Sequence, residues 1–241
     1  MNKNSNLYQI LYAAVMVVLV GIVLAFIYMT LKPQQDENRD NDKRRQILAA
    51  LHVAAPSDAE TKATYEQYIV ADMLIDAQGN VTDSTANVAF NVDMKKNSKA
   101  APGEQLLPVF KAVKDGETKY VIPVYGAGLW GPIWGFVAVN ADGKTIYGAN
   151  FSHESETPGL GARITEEEFQ NKFVGKSFYP GENDEFKSVE VLKKGQKSLV
   201  NAHTVDAISG ATITSRGVGD MIANGIDDYH PFLMRLQATN D

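Results

Sequence analysis

Residues 108–125 read "PVFKAVKDGETKYVIPVY". Two runs rich in Val, Ile, Tyr and Phe are parted by Asp115-Gly116, a pair that tolerates the left-handed dihedrals of a tight hairpin turn. The stretch therefore predicts two antiparallel strands. The pattern returns at 135–151, "GFVAVNADGKTIYGANF", around Asp142-Gly143, and opens from about Met73 in "MLIDAQGNVT". Downstream, 186–192 and "TVDAI" at 204–208 read as further short strands, and Thr165-Glu166-Glu167-Glu168 as the capped start of a helix through Phe173. The fold class expected is α+β: a mixed, mostly antiparallel sheet with flanking helices.

Upstream, Asn41 to Ala55 places Ile47, Leu48 and Leu51 on one helical face, and Ser57-Asp58-Ala59-Glu60 has the pattern of a capping box opening a second helix, with Pro56 between the two. Before these lies "LYQILYAAVMVVLVGIVLAFIYMTL", residues 7–31, without a charged side chain, followed by Lys32-Pro33. At about 1.5 Å per residue such a helix crosses a hydrocarbon core of roughly 30 Å with some tilt. Tyr8, Tyr12 and Tyr28 stand near its ends, where amphipathic rings favour the interface. A cleaved signal peptide would carry a shorter apolar run and a small-x-small site, which "TLKPQQ" is not. The organisation expected is a single N-terminal transmembrane anchor at 1–32, a juxtamembrane helical segment at 33–72 and one α+β domain at 73–241.

Composition narrows the functions. A net charge of −6 over 241 residues speaks against a nucleic-acid surface, which needs a basic stripe to displace phosphate counterions. The absence of cysteine removes thiolate catalysis, cysteine-ligated clusters and disulfides, and decides no compartment. His153, His203 and His230 fall at no metal-ligand spacing, so no metal site is expected. Lys3 alone precedes the apolar run, whereas Lys32, Arg39, Lys43, Arg44 and Arg45 follow it. By charge bias alone the soluble part faces the cytoplasm.

Three loops invite a chemical reading. "GAGLWGPIWG", 126–135, holds both tryptophans among its glycines; its plain reading is a crossing between core strands with Trp filling the interior, and its functional one a backbone approach to a flat aromatic ligand lined by Trp. "HESETPGLGAR", 153–163, is a Pro-Gly turn that also gathers acids, a hydroxyl and open amides fit for phosphate or ring carbonyls. "SGATITS", 209–215, supplies Thr214 or Ser215 as the cap of a helix whose apolar face is Val218, Met221, Ile222 and Ile226. That leaves Ser209, Gly210, Ala211 and Thr212 unexplained. A threonine hydroxyl needs activation by a base, metal or partner enzyme, and no G-x-S-x-G elbow or His–Asp pairing is present. Small neighbours suit a threonine presented to another enzyme.

Asp206-Ala207-Ile208-Ser209-Gly210-Ala211-Thr212 resembles the flavinylation motif D-x-x-(S/T)-G-A-T of bacterial FMN-binding domains. With the anchor, "GLWGPIWGFVAV" and "ETPGLGARI", it follows the order found in the family of C subunits of sodium-translocating NADH:quinone reductases, over most of the chain. The G subunit of the Rnf ferredoxin:NAD oxidoreductase shares the flavin domain, and the Trp-rich run favours the former.

The resemblance implies one FMN per chain, linked covalently through its phosphate to Thr212 by a separate flavin transferase that cleaves FAD. Ser209, Gly210 and Ala211 would frame that threonine, and Asp206 would help the transferase recognise it. Trp130, Thr157 and Leu160 would lie against the flavin, with Glu156, Gly159 and Gly161 as further contacts. No catalytic acid or base is implied, because the flavin carries the electron chemistry. The implied role is an electron relay between the NADH-oxidising flavoprotein and quinone-reducing membrane subunits of a sodium-exporting complex. Sodium would move elsewhere, since one helix free of ionisable groups offers it no path. The implied setting is the lipid bilayer of the bacterial inner membrane, with the flavin domain on the periplasmic side, against the charge bias. Two alternatives stay open: a Rnf-type flavin carrier, and a tethered binding module without redox function.

Overall fold

Side-chain alternation along three central strands fixes what each face of the sheet meets. In the computed structural model, which describes residues 5–55, 57–101, 103–180, 186–193, 195–196 and 201–240, Asp115 and Gly116 both take positive φ, 54° and 81°, and join β3 (Leu107–Lys114) to β4 (Glu117–Ala127) in a two-residue turn. Upstream are β1 (Ile69–Ile75) and β2 (Val81–Asp83); downstream are β5 (Pro132–Asn140) and β6 (Ile146–His153). The six form one antiparallel sheet in the order β2-β1-β3-β4-β5-β6. The second hairpin is looser than the first. There the Asp142 carboxylate accepts the N–H groups of Lys144 and Thr145, so a side chain closes the turn.

The first helix and the first strand differ from the sequence-based expectation. β1 begins at Ile69, four residues before Met73, because α2 (Asp58–Tyr68) passes into the strand without a turn residue to mark the change. The expected break at Lys32-Pro33 and the separate helix from Asn41 to Ala55 are replaced by one helix, α1 (Asn6–Ala50), with Pro33 inside it. Proline removes a single N–H donor, while Asp36 pairs with Lys32 across it at 3.6 Å and with Arg39 at 3.0 Å. α1 stops before Ala55 because His52 turns left-handed at φ 54° and the Val53 N–H closes back on the Leu48 carbonyl at 2.9 Å. Pro56, expected as a separator, lies outside the described residues.

Contacts divide the chain into two units, Met1–Lys43 and Arg44–Asp241. In the first, the large apolar side chains from Leu7 to Leu31 are exposed, and this helix is long and apolar enough to cross a membrane. Thr30, near the end of the apolar run, donates its hydroxyl to the Phe26 and Ile27 carbonyls and so satisfies it within the helix.

In the second unit, one sheet face sets Phe110, Ala112, Val121, Phe136 and Ala138 against Ile47, Leu48 and Leu51 at the end of α1 and Tyr65 of α2. The α2 start uses half of the expected capping box: the Ser57 hydroxyl donates to Glu60 Oε2 at 2.7 Å rather than capping a backbone N–H. After the four-residue α3 (Met94–Asn97), the alternate residues Val109, Ile122, Val124, Ile133, Val137 and Val139 face the other way. They pack under α5 (Thr212–Asp227) and α6 (His230–Asn240), through Val218, Met221, Ile222, Ile226 and Leu233. The expected helix through Phe173 is shorter and mixed: a 3-10 turn at Gly161–Thr165, α4 (Glu167–Gln170) and a second 3-10 turn at Asn171–Phe173. Thr165 does not cap it; its hydroxyl turns back to the Ala162 carbonyl. β7 (Glu190–Leu192) and β8 (Thr204–Asp206) form a separate parallel pair that leads into α5.

Candidate functional site

The glycine-rich run proves to be the end of the β4–β5 hairpin. Ala127 pairs with Pro132, and residues 128–131 form its tip, closed by the Gly128 N–H on the Gly131 carbonyl at 2.8 Å. Trp130 therefore projects from a tip and is 66% exposed, contrary to the reading of Trp as core filler. Trp134 lies within β5, half-buried, and donates its indole N–H to Gln46 at 3.0 Å.

The segment after β6 runs back along this tip. Glu154 N–H reaches the Pro132 carbonyl, the Ser155 hydroxyl reaches the Trp130 carbonyl at 3.0 Å, and the Trp130 N–H reaches Glu156 Oε1 at 2.8 Å. Thr157, Pro158, Gly159 and Leu160 then form an exposed turn, closed by the Leu160 and Ala162 N–H groups on the Thr157 carbonyl, both at 3.1 Å. Gly159 holds φ 74° there, a position that favours glycine.

The third segment is the start of α5, and it corrects the capping assignment. The helix begins at Thr212 itself, with Ala211 as the residue before it. Thr214 and Ser215 are buried and turned inward: Thr214 Oγ1 donates to Glu156 Oε2 at 2.7 Å, while Ser215 Oγ donates to the Ala211 carbonyl at 2.8 Å and accepts from the Ile208 N–H. No side chain caps the helix, and the N–H groups of Thr212, Ile213 and Thr214 have no partner among the described residues. Ser209 and Gly210 are exposed, Thr212 is half-buried, and Ala211 is buried rather than open.

These segments meet. A Cβ on Gly210, which holds φ 81°, would stand 3.1 Å from Leu160 Cδ2, so the turn before Thr212 lies against the 157–160 turn. A Cβ on Gly161 would strike Glu156 Oε2 and Thr214 Oγ1, and one on Gly128 would strike Glu156 Oε1. Glycine at these positions lets backbone close on the Glu156 carboxyl, which is only 4% exposed. Thus Trp130, Glu156, Gly161 and Leu160 are drawn to the α5 start, while Thr157 and Gly159 lie exposed in the 157–160 turn.

Two residues were missed in the sequence. Leu129 and Ile213 are 47% and 62% exposed, one next to Trp130 at the hairpin tip and the other next to Thr212 at the α5 start, where Leu160 is 45% exposed across from Gly210. Ile213 carries a readable signal: it sits nine residues before Ile222, half a helical revolution off the buried face of α5. A cleft of ≈ 330 Å³ opens on the Ser209 side, among Arg163, Phe169, Lys172 and Asp206. Among the described residues no group of three metal-ligating side chains occurs.

The arrangement is a half-buried threonine at the first turn of a 16-residue helix, with amide N–H groups beside it that are unpaired among the described residues and exposed apolar side chains on the adjoining segments. Such a start favours an anion, and the apolar collar a flat ring. A phosphorylated aromatic cofactor fits this donor set.

Residues 128–227 match the family model of the FMN-binding domain. The chain is 31% identical to the C subunit of the Na(+)-translocating NADH-quinone reductase of Pseudomonas aeruginosa, over 98% of either chain, and 29% identical to that of Haemophilus ducreyi, over 99% of this chain and 97% of the relative. A crystal structure of the Parabacteroides distasonis C subunit superposes with a TM-score of 0.76 at 43% identity, covering 84% of this chain and 96% of that one. The crystal structure of Shewanella oneidensis NqrC gives 0.70 at 29%, covering 83% and 99%.

Proposed function

The chain belongs to the family of Na(+)-translocating NADH-quinone reductase C subunits, and from that premise we propose that it carries FMN covalently, through the phosphate, on Thr212. FMN binding and an electron-relay role follow from the family; the attachment residue, the surrounding contacts and the coupling to sodium export are the proposal. The observation that carries it is the position of Thr212: half-exposed, first in α5, beside N–H groups that have no other partner among the described residues.

In the attachment step, a flavin transferase directs Thr212 Oγ to the FMN-side phosphorus of FAD. The Oγ–P bond forms, the pyrophosphate P–O bond breaks, AMP leaves with the bridging oxygen, and the hydroxyl proton passes to a base of the transferase. The phosphodiester keeps one negative charge, which the helix start favours. Bound FMN supplies the electron transfer. The chain's own residues retain and orient it: Trp130 and Leu160, with Leu129 and Ile213, offer apolar surface to the ring, and Thr157 and Gly159 flank it. Ser209, Gly210 and Ala211 form the turn that presents Thr212. So open a platform encloses little of a ligand, and a covalent bond removes the need for tight enclosure.

The apolar helix supports a single-pass inner-membrane protein, in contact with lipid over residues 7–31 and associated with the other subunits of the complex. We place the anchor at 1–32 and the flavin domain on the periplasmic side. Two of the cations that oppose this orientation have structural uses: Arg44 lies 5.0 Å from the centroid of the Phe90 ring, and Arg45 pairs with Asp58. A cysteine at exposed Ser84, in a chain otherwise free of cysteine, is expected to react with a membrane-impermeant thiol reagent in intact cells; protection there, with labelling after lysis, would reverse the orientation.

Intact mass and in-gel flavin fluorescence of the denatured full-length chain, co-expressed with a flavin transferase, test the attachment. Wild type is expected to gain one FMN phosphoryl unit and Thr212→Val none. An unmodified wild type, beside a control substrate that is modified, leaves the tethered binding module as the reading. Co-purification with a ferredoxin-linked complex would instead favour a Rnf-type carrier, against which the names of the relatives speak.

A further inference from the structure

Glu156 is a buried carboxyl group whose two oxygens are bonded to two different segments of the site. Oε1 accepts the Trp130 N–H at 2.8 Å, and Oε2 accepts the Thr214 hydroxyl at 2.7 Å. Its own N–H is held by His153 Nδ1 at 3.2 Å, and Gly128 and Gly161 leave the space that the carboxyl fills. Thr214 stands two residues after Thr212 on the same helical turn, and Trp130 is the aromatic residue of the collar, 66% exposed. One side chain therefore spans from the ring side of the platform to the attachment side.

We propose that Glu156 is the positioning residue of this site: it sets Trp130 against the first turn of α5 and makes no contact with the flavin. The inference rests on the flavin reading of Thr212. It reassigns Glu156, and with it Gly161, from contact residues to the support behind the contacts. A carboxyl is suited to the task because both oxygens accept. The Trp130 N–H can only donate, so the group facing it must be an acceptor, whereas the Thr214 hydroxyl can reverse its role. Glutamine should therefore substitute, with its oxygen toward Trp130 and its amide N–H toward Thr214. Leucine, one atom shorter and without a polar atom, satisfies neither partner.

The test uses the full-length chain co-expressed with a flavin transferase, as wild type, Glu156→Gln, Glu156→Leu and Thr214→Val. Covalent flavin per folded chain and the visible circular dichroism of the flavin, which reports the ring's setting, are measured for each. Glu156→Gln is expected to keep at least half of the wild-type loading and the wild-type bands. Glu156→Leu is expected to lose tenfold in loading, or to load with flattened bands, and Thr214→Val to fall between the two. Rescue by glutamine separates positioning from a loss of charge. Glu156→Leu with wild-type loading and bands overturns the proposal, as does Glu156→Gln behaving like Glu156→Leu. If Glu156→Leu does not fold, Thr214→Val decides: wild-type loading and bands in that variant overturn it. A wild type without flavin, or a Thr212→Val chain that still carries it, sinks the attachment reading and this inference with it. Loading confined to Thr212 together with an indifferent Glu156→Leu sinks the inference alone.

Discussion

On one face of β3–β5, Phe110, Val121, Phe136 and Ala138 meet Ile47, Leu48 and Leu51 in a contact made of apolar side chains. On the other face the strands are equally apolar beneath α5, but at the β4–β5 tip the packing gives way to polar links. There the Trp130 N–H, the Thr214 hydroxyl and the Glu156 carboxyl take over, on segments that also expose Leu129, Trp130, Leu160 and Ile213. Dispersion and burial hold the first region, which is close-packed and apolar. Hydrogen bonds hold the second, where direction matters because a hydroxyl has to be presented and a ring seated. Stability and function are thus concentrated on different parts of one domain, and substitutions can separate them.

The largest stability effect is expected from Phe110→Ala. Its fully buried ring packs edge-on to Phe136 with centroids 6.3 Å apart, and the lost burial plus the cavity left behind should cost about 3–5 kcal/mol. Chemical denaturation measures the loss, while covalent flavin per folded chain is expected to stay at the wild-type level. A parallel fall in loading would break the separation between the two regions.

A smaller cost with a larger functional effect is expected from Gly161→Ala. The added methyl would meet Glu156 and Thr214 in a tightly filled space, at a cost of about 1–3 kcal/mol. Flavin loading should fall by more than it does for Phe110→Ala although the chain is the more stable of the two. Equal loading in both variants would mean that the polar link is scaffold only.

The regularity of the first region made it legible. Asp115-Gly116 gave away its hairpin, and the spacing of Ile47, Leu48 and Leu51 their shared face, because tight turns and apolar periodicity are local properties. The start of β1 at Ile69 and the continuity of α1 through Pro33 were hidden. The first has no turn residue, and in the second a proline inside the helix reads locally as a break. At the site, the motif singled out Thr212, but its hydroxyl neighbours read as caps. The bond from Thr214 to Glu156 joins residues 58 positions apart, and no local rule reveals it. Ile213 could have been found by its angle on α5, whereas Glu156 needed the fold.

The central claim is that Thr212 carries the cofactor, and locating the modification within the chain tests it most directly. Tandem mass spectrometry of the tryptic peptide ending at Arg216, from wild-type full-length chain isolated with flavin bound, reads the position. The account predicts an FMN phosphoryl mass on Thr212. The same mass on Thr214, Ser209 or Ser215, or an unmodified peptide from a chain that fluoresces after denaturation, would contradict it.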